Sequence, residues 1–364
     1  MADKLSDLFY KIEDDLKKYP KCWMFGVVGG RNTGKTYNAL DYFLTRNEPI
    51  VFVKRNNNDI DTICAGAQIG KKAADFDLDL SPYKPINRDK GTNIKPFKVK
   101  DGIGAFYRVN DEGSAYGSPV SYLVSLFAVS KIKGFDLSEC VAIVFDEFIP
   151  QPWDRIQRKE GEQLMDLYMT VNRDRVMRGK PELLLICLAN AVNIYNPTLE
   201  IFELTDVMTD LLITGKDVFV DEERGIMLRH LETPEELMKM EEDTGVYKTM
   251  KDTQWGRMAF NNEFAYNDFT AVRRVALKNY RVACAVKHKL KTWYVYVNDS
   301  GEFYICGSRG KTEQTYDLNI ETQAKLFYYD YVIDLVNAAI EGRMKFEKYT
   351  MYDLIMNYKK RFIV

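Results

Sequence analysis

Lys35 and Thr36 close the stretch Gly29-Gly30-Arg31-Asn32-Thr33-Gly34-Lys35-Thr36, which fits G-x-x-x-x-G-K-[ST]. Glycines at 29, 30 and 34 let the backbone curl so that successive amides surround a phosphate. Lys35 is placed to reach the β and γ phosphates of a nucleotide, and Thr36 to hold Mg2+. A second candidate group is Val141-Ala142-Ile143-Val144-Phe145-Asp146-Glu147, an apolar run ending in two adjacent carboxylates. Side chains alternate along a strand, so Asp146 can face the Mg2+ held by Thr36, through water, while Glu147 points toward the γ phosphate. A carboxylate there suits a general base that polarises an attacking water, a role hydrolysis needs and kinase-type transfer does not. Asn190, after the apolar run Leu183 to Leu188, can hydrogen-bond that water or sense the γ phosphate. Phosphoryl transfer also gains from a cation reaching in from outside the cradle. The candidates lie in Asn172 to Arg178 and in Lys131-Ile132-Lys133; a solvated basic face is the default for any one of them, and Arg173 and Lys133 are the two favoured for the role.

These groups need elements to position them. The apolar run Cys22 to Val28 reads as a buried strand feeding the loop, and Tyr37 to Leu44 as a helix whose N-terminus favours an anion. Further strands are expected at Ile50 to Lys54, Tyr122 to Val129, Cys140 to Phe145 and Leu183 to Leu188, and a helix at Glu162 to Val171. Alternation of this kind predicts an α/β fold with a mainly parallel sheet. Ser81 to Lys100 carries Lys84, Arg88, Lys90, Lys95, Lys98 and Lys100 against one acid, Asp89, while Pro82, Pro85 and Pro96 argue against regular structure. It reads as a solvated loop or, functionally, as one that grips phosphates. Leu211 to Thr214, Asp217 to Val220 and Ile226 to Leu228 are expected as strands closing a first domain at 1–231. Thr233 to Thr253 is charged and helix-prone, with Pro234 as a start and Gly245 as a stop, so 232–270 reads as a small helical connector.

Beyond it, 271–364 reads as a third domain. Tyr280 to Val286, Trp293 to Val297 and Phe303 to Cys306 suggest an antiparallel meander turning at Asn298-Asp299-Ser300-Gly301, and Thr322 to Ala339 an amphipathic helix. From Ala271 to Asn298 there are Arg273, Arg274, Lys278, Arg281, Lys287, Lys289 and Lys291 and no acidic residue. Such a face suits nucleic-acid phosphates, with Trp293, Tyr294 and Tyr296 able to pack or stack.

Bulk properties narrow the classes. At 364 residues with 46% hydrophobic and 29% charged, the chain has material for more than one core, and a net charge of −2 leaves nucleic-acid binding to local patches. No run is long and apolar enough to cross a membrane. Leu5, Leu8, Phe9, Ile12 and Leu16 read as an amphipathic helix and not a signal peptide, so the cytoplasm is expected. Six scattered cysteines argue against disulfides, and two histidines against a zinc site or a histidine-based triad.

The order GGRNTGKT, IVFDEFI, MDLYMTVNRDRV and LLLICLANAVNIYNP, with Tyr358-Lys359-Lys360-Arg361-Phe362 at the end, resembles the DNA-encapsidation ATPases of small protein-primed tailed bacteriophages. The resemblance implies an N-terminal P-loop ATPase domain of the additional-strand (ASCE) type using ATP and Mg2+. It implies an α+β, ribonuclease H-like C-terminal domain that has lost its nuclease centre. It further implies a ring, pentameric in that family, at the capsid portal in the host cytoplasm, partnered by double-stranded DNA, the portal protein and in some members a packaging RNA. By position Arg31 matches the family's P-loop arginine, Asp146 and Glu147 its metal and catalytic carboxylates, and Lys133 a lysine acting across subunits. Arg173 lies in the segment that carries its arginine finger. The rival readings are a P-loop nucleoside or small-molecule kinase and a nucleotide-gated scaffold that hydrolyses nothing; a GTPase lacks an N-K-x-D motif here.

Overall fold

The computed structural model describes residues 7–68, 79–151, 154, 156–157, 159–173, 175–260, 264, 267 and 269–363. The chain divides into two compact units, Met1–Tyr266 and Asn267–Val364. The first is built on β1 (Met24–Gly29), β2 (Ile50–Lys54), β3 (Ile94–Lys100), β4 (Ile103–Val109), β5 (Ala115–Ser125), β6 (Ala142–Asp146), β7 (Leu184–Ala189), β8 (Val218–Asp221) and β9 (Ile226–Leu231). Among the described residues these form one nine-stranded sheet in the order β3-β4-β5-β2-β6-β7-β1-β9-β8. The six central strands, β5 to β9 in that order, are mutually parallel, and antiparallel β3, β4 and β8 close the edges.

Parallel strands covered on both faces read as continuous apolar runs, and all six residues of β1 are buried. Burying each Val, Ile or Phe contributes about 1.5–3 kcal/mol. β7 pairs with both β1 and β6, so one extra strand separates the strand before the glycine-rich loop from the one that ends in Asp146. This is the additional-strand arrangement. Val28 lies opposite Ala189, and Asp146 opposite Leu188, so the carboxyl ends of the three strands are flush. Whatever follows them emerges at one place, the usual ligand edge of a parallel sheet.

Several expected elements are corrected. Leu211 to Thr214 is not a strand but the end of the helix Thr205–Thr214, which buries Thr205, Met208, Thr209 and Leu211 and stops at left-handed Gly215. Ser81 to Lys100 is regular: Lys84–Lys90 is a helix with Pro85 in its first turn, and β3 tolerates Pro96 because it is an edge strand. The strand expected over Tyr122 to Val129 ends at Ser125, whose hydroxyl accepts from the Phe127 N–H and starts a 3-10 turn over Leu126–Ile132. The N-terminal helix spans only Ile12–Lys18; Leu8 and Phe9 lie in a turn, and Leu5 falls outside the described residues. Gly245 starts a helix and does not stop one, because Thr244 caps it by accepting from the Tyr247 N–H. Among the described residues, the region after β9 forms three short helices, Glu235–Glu242, Gly245–Met250 and Gln254–Phe260.

The second unit is α+β. An antiparallel meander of β10 (Tyr280–His288), β11 (Lys291–Asn298) and β12 (Phe303–Cys306) is flanked by β13 (Thr315–Asp317), parallel to β10, and β14 (Met344–Phe346), parallel to β12. The helices Glu321–Phe327 and Ile333–Ile340 run on through one wider, π-type turn, and Phe327, Leu335, Leu354 and Tyr358 pack with Val286, Val295 and Ile305.

Candidate nucleotide site

At the flush strand ends, Arg31 to Tyr37, Asp146, Glu147, Ala189 and Asn190 line one cavity of about 370 Å³. Two glycines shape it. A Cβ on Gly29 would meet the Leu231 side chain at 2.8 Å, and Gly34, at φ 81°, would drive one into Phe9 at 2.8 Å. The N-terminal turn also ties the loop down, the Tyr10 N–H donating to the Thr33 carbonyl at 3.0 Å.

Lys35 opens the helix Lys35–Thr45, so its side chain folds back over the loop. Its ammonium donates to the carbonyls of Gly30 (2.6 Å) and Gly29 (3.1 Å), to Thr33 Oγ1 (3.0 Å) and to Asn190 Oδ1 (3.4 Å). Burial pulls this lysine down to about 8, against the opposing pull of Asp146. Thr36 Oγ1 donates to Asp146 Oδ1 at 2.8 Å. A hydroxyl and a carboxylate converging in this way, beside a lysine and facing a cavity, form the oxygen set that Mg2+ uses when phosphates and water complete its shell. The residues therefore fit a magnesium nucleotide, with Thr36 and Asp146 toward the metal and Lys35 and the loop amides toward the phosphates.

Glu147 is exposed and has φ 59°, a left-handed conformation unfavourable for a non-glycine residue. Two residues absent from the sequence-based site sit beside it. Lys54, at the end of β2 and next to the Val53–Phe145 pair, donates to Asp146 Oδ2 (2.8 Å) and Glu147 Oε2 (3.3 Å). Burial alone would lower its pKa, yet the two carboxylates hold it above the ordinary ammonium value. The other is Arg55, buried behind the loop after β6, with burial lowering its guanidinium to about 10. The signal for both was available: a buried strand rarely ends in two consecutive cations.

The expected outside cations are not in this cavity. Lys133 and Arg173 are exposed and do not line it. Arg175 is spent structurally, its guanidinium donating to the carbonyls of Pro181, Ser138 and Cys140. Of the basic residues expected to grip nucleic acid, Arg88 pairs with Asp89, Lys90 with Asp41, Lys95 with Asp79 and Lys287 with Asp317, which lowers the charge each offers a phosphate. Lys84, Arg273, Arg274, Lys278 and Lys289 are exposed. Trp293 and Tyr296 are buried, so they pack and present no stacking face.

Residues 3–361 match the podovirus DNA encapsidation protein (Gp16) family. The chain belongs to this family. Among solved structures, it is similar to a chain of the bacteriophage Phi-29 viral genome packaging motor assembly at 19% identity and a TM-score of 0.63, covering 97% of this chain and 99% of that one. It is likewise similar to the Phi-28 gp11 DNA packaging motor at 19% identity and a TM-score of 0.59, covering 98% of each chain. These likenesses establish a shared fold over both units. No match was found among curated proteins.

Proposed function

We propose that the protein is an ATP-driven translocase that packages double-stranded DNA into a preformed viral capsid, working as a homo-oligomeric ring at the portal vertex in the host cytoplasm. The observation that carries this is the Thr36–Asp146 hydrogen bond inside a cavity that also holds Lys35, Glu147 and Asn190, in a chain of the encapsidation family. When bound, Mg2+ supplies neutralising charge at the β and γ oxygens. Lys35 and the loop amides grip the phosphates, and Asn190 orients the attacking water. Glu147 takes the water's proton as its oxygen bonds to the γ phosphorus; the bond to the β–γ bridging oxygen breaks, leaving ADP and phosphate. Lys133 and Arg173, exposed and outside their own cavity, are the candidates to reach a neighbour's. Arg273, Arg274, Lys278, Lys287 and Lys289 of the second unit, with Lys84, Arg88, Lys90 and Lys95 of the first, are the candidates for contact with nucleic acid. The portal protein and a packaging RNA are the further partners this reading expects.

Phosphate release with and without linear duplex DNA tests the reading. Glu147→Gln should bind a fluorescent ATP analogue with parental affinity yet lose DNA-stimulated turnover. Normal turnover by that variant removes the base assignment, and a parental enzyme whose ATP loss ignores DNA removes the translocase.

A further inference from the structure

The strained turn that carries Glu147 is held from behind by a buried ion pair. Arg55, 4% exposed, donates through Nη2 to the carbonyls of Glu147 (2.9 Å) and Phe148 (3.0 Å). Its Nη1 pairs with Glu160, which is fully buried and is the first residue of the helix Glu160–Val171. The Arg55 carbonyl itself accepts from Ser125 Oγ at 3.1 Å, so the arginine is fixed at both ends. A left-handed non-glycine residue persists only where its surroundings over-determine it. Here one planar guanidinium grips the two carbonyls that follow the Glu147 Cα, a geometry that a point charge cannot reproduce.

We propose that Arg55 is a positioning residue for hydrolysis. With Glu160 as its counter-ion, it locks the peptide units after Asp146 and so keeps the Glu147 carboxylate over the cavity. The inference rests on the reading of Glu147 as the base, but Arg55 does not line the cavity, and its hydrogen bonds to this turn go to the Glu147 and Phe148 carbonyls.

The test uses the full chain with duplex DNA. Arg55→Lys keeps a charge facing Glu160 but cannot span a carboxylate and two carbonyls. Arg55→Met combined with Glu160→Met leaves no unpaired buried charge, a replacement folds usually tolerate, and carries the test should the single variant not fold. Both should bind the fluorescent ATP analogue with parental affinity while kcat falls on the order of 100-fold, the scale of a misplaced catalytic group. A folded variant with parental kcat overturns the proposal. So does a loss of nucleotide affinity matching the loss of kcat, because that marks a general collapse of the pocket. Glu147→Gln, measured alongside, separates the two readings: if it is active, the base assignment falls, and if it is silent while Arg55→Lys turns over normally, only the positioning role falls.

Discussion

The cavity at the carboxyl edge of the sheet depends on single atoms that are missing as much as on side chains that are present. Gly29 is required because β9 runs so close that Leu231 occupies the space of a Cβ, at 2.8 Å. Gly29→Ala should therefore destabilise the first unit by about 1–3 kcal/mol through overpacking, and adding Leu231→Ala should recover part of that; thermal melts of the two variants check it. Lys54 shows what residue-by-residue reading overlooks. Its two acceptors, Asp146 and Glu147, are distant in sequence and meet it only because β2 and β6 are paired in register.

Among elements, the N-terminal helix is fastened where the sequence offered only an amphipathic pattern. Asp15, 3% exposed, accepts from Tyr10 Oη (2.8 Å) and from Arg229 on β9 at Nε (2.9 Å) and Nη2 (2.6 Å). Asp15→Ala leaves the Arg229 charge poorly matched and should cost about 3–5 kcal/mol in a denaturant titration, whereas Asp15→Leu with Arg229→Met should recover most of it. The misread elements have definite causes. The four-residue apolar run Leu211 to Thr214 has no period of its own, and only with Thr205 and Met208 does the helical face emerge. Prolines in Ser81 to Lys100 suggested irregular chain, but one occupies a first helical turn and another an edge strand, the two places where a missing N–H costs nothing. The short helices after β9 reach back to the glycine-rich loop, Asn32 Nδ2 donating to Glu241 Oε1 at 3.1 Å and Arg31 lying over the Trp255 ring. No local pattern encodes that contact.

For the molecule as a whole, all six cysteines are buried in the two units and unpaired. Burial pushes the Cys64 thiol up to about 11 and those of Cys140 and Cys284 to about 12. A thiol that keeps its proton longer when folded supports the native state fully below the unfolded value near 9, and that support is lost as pH rises from 9 toward 12. The native protein should thus resist thiol-labelling reagents at pH 8 until denaturant is added, and its melting temperature should fall above pH 9; rapid labelling of the native chain would contradict this. The parallel sheet, the glycine-rich turn after its first strand, the carboxylates at the end of β6 and the α+β second unit were legible in the sequence, because buried strands and glycine-rich turns are local patterns set by burial on both faces and by backbone sterics. Strand order, the placement of β7 between β1 and β6, and the recruitment of Lys54 and Arg55 were decided by tertiary structure alone. Those contacts join residues far apart in the chain, and only the register of packed strands brings their charges within hydrogen-bonding distance.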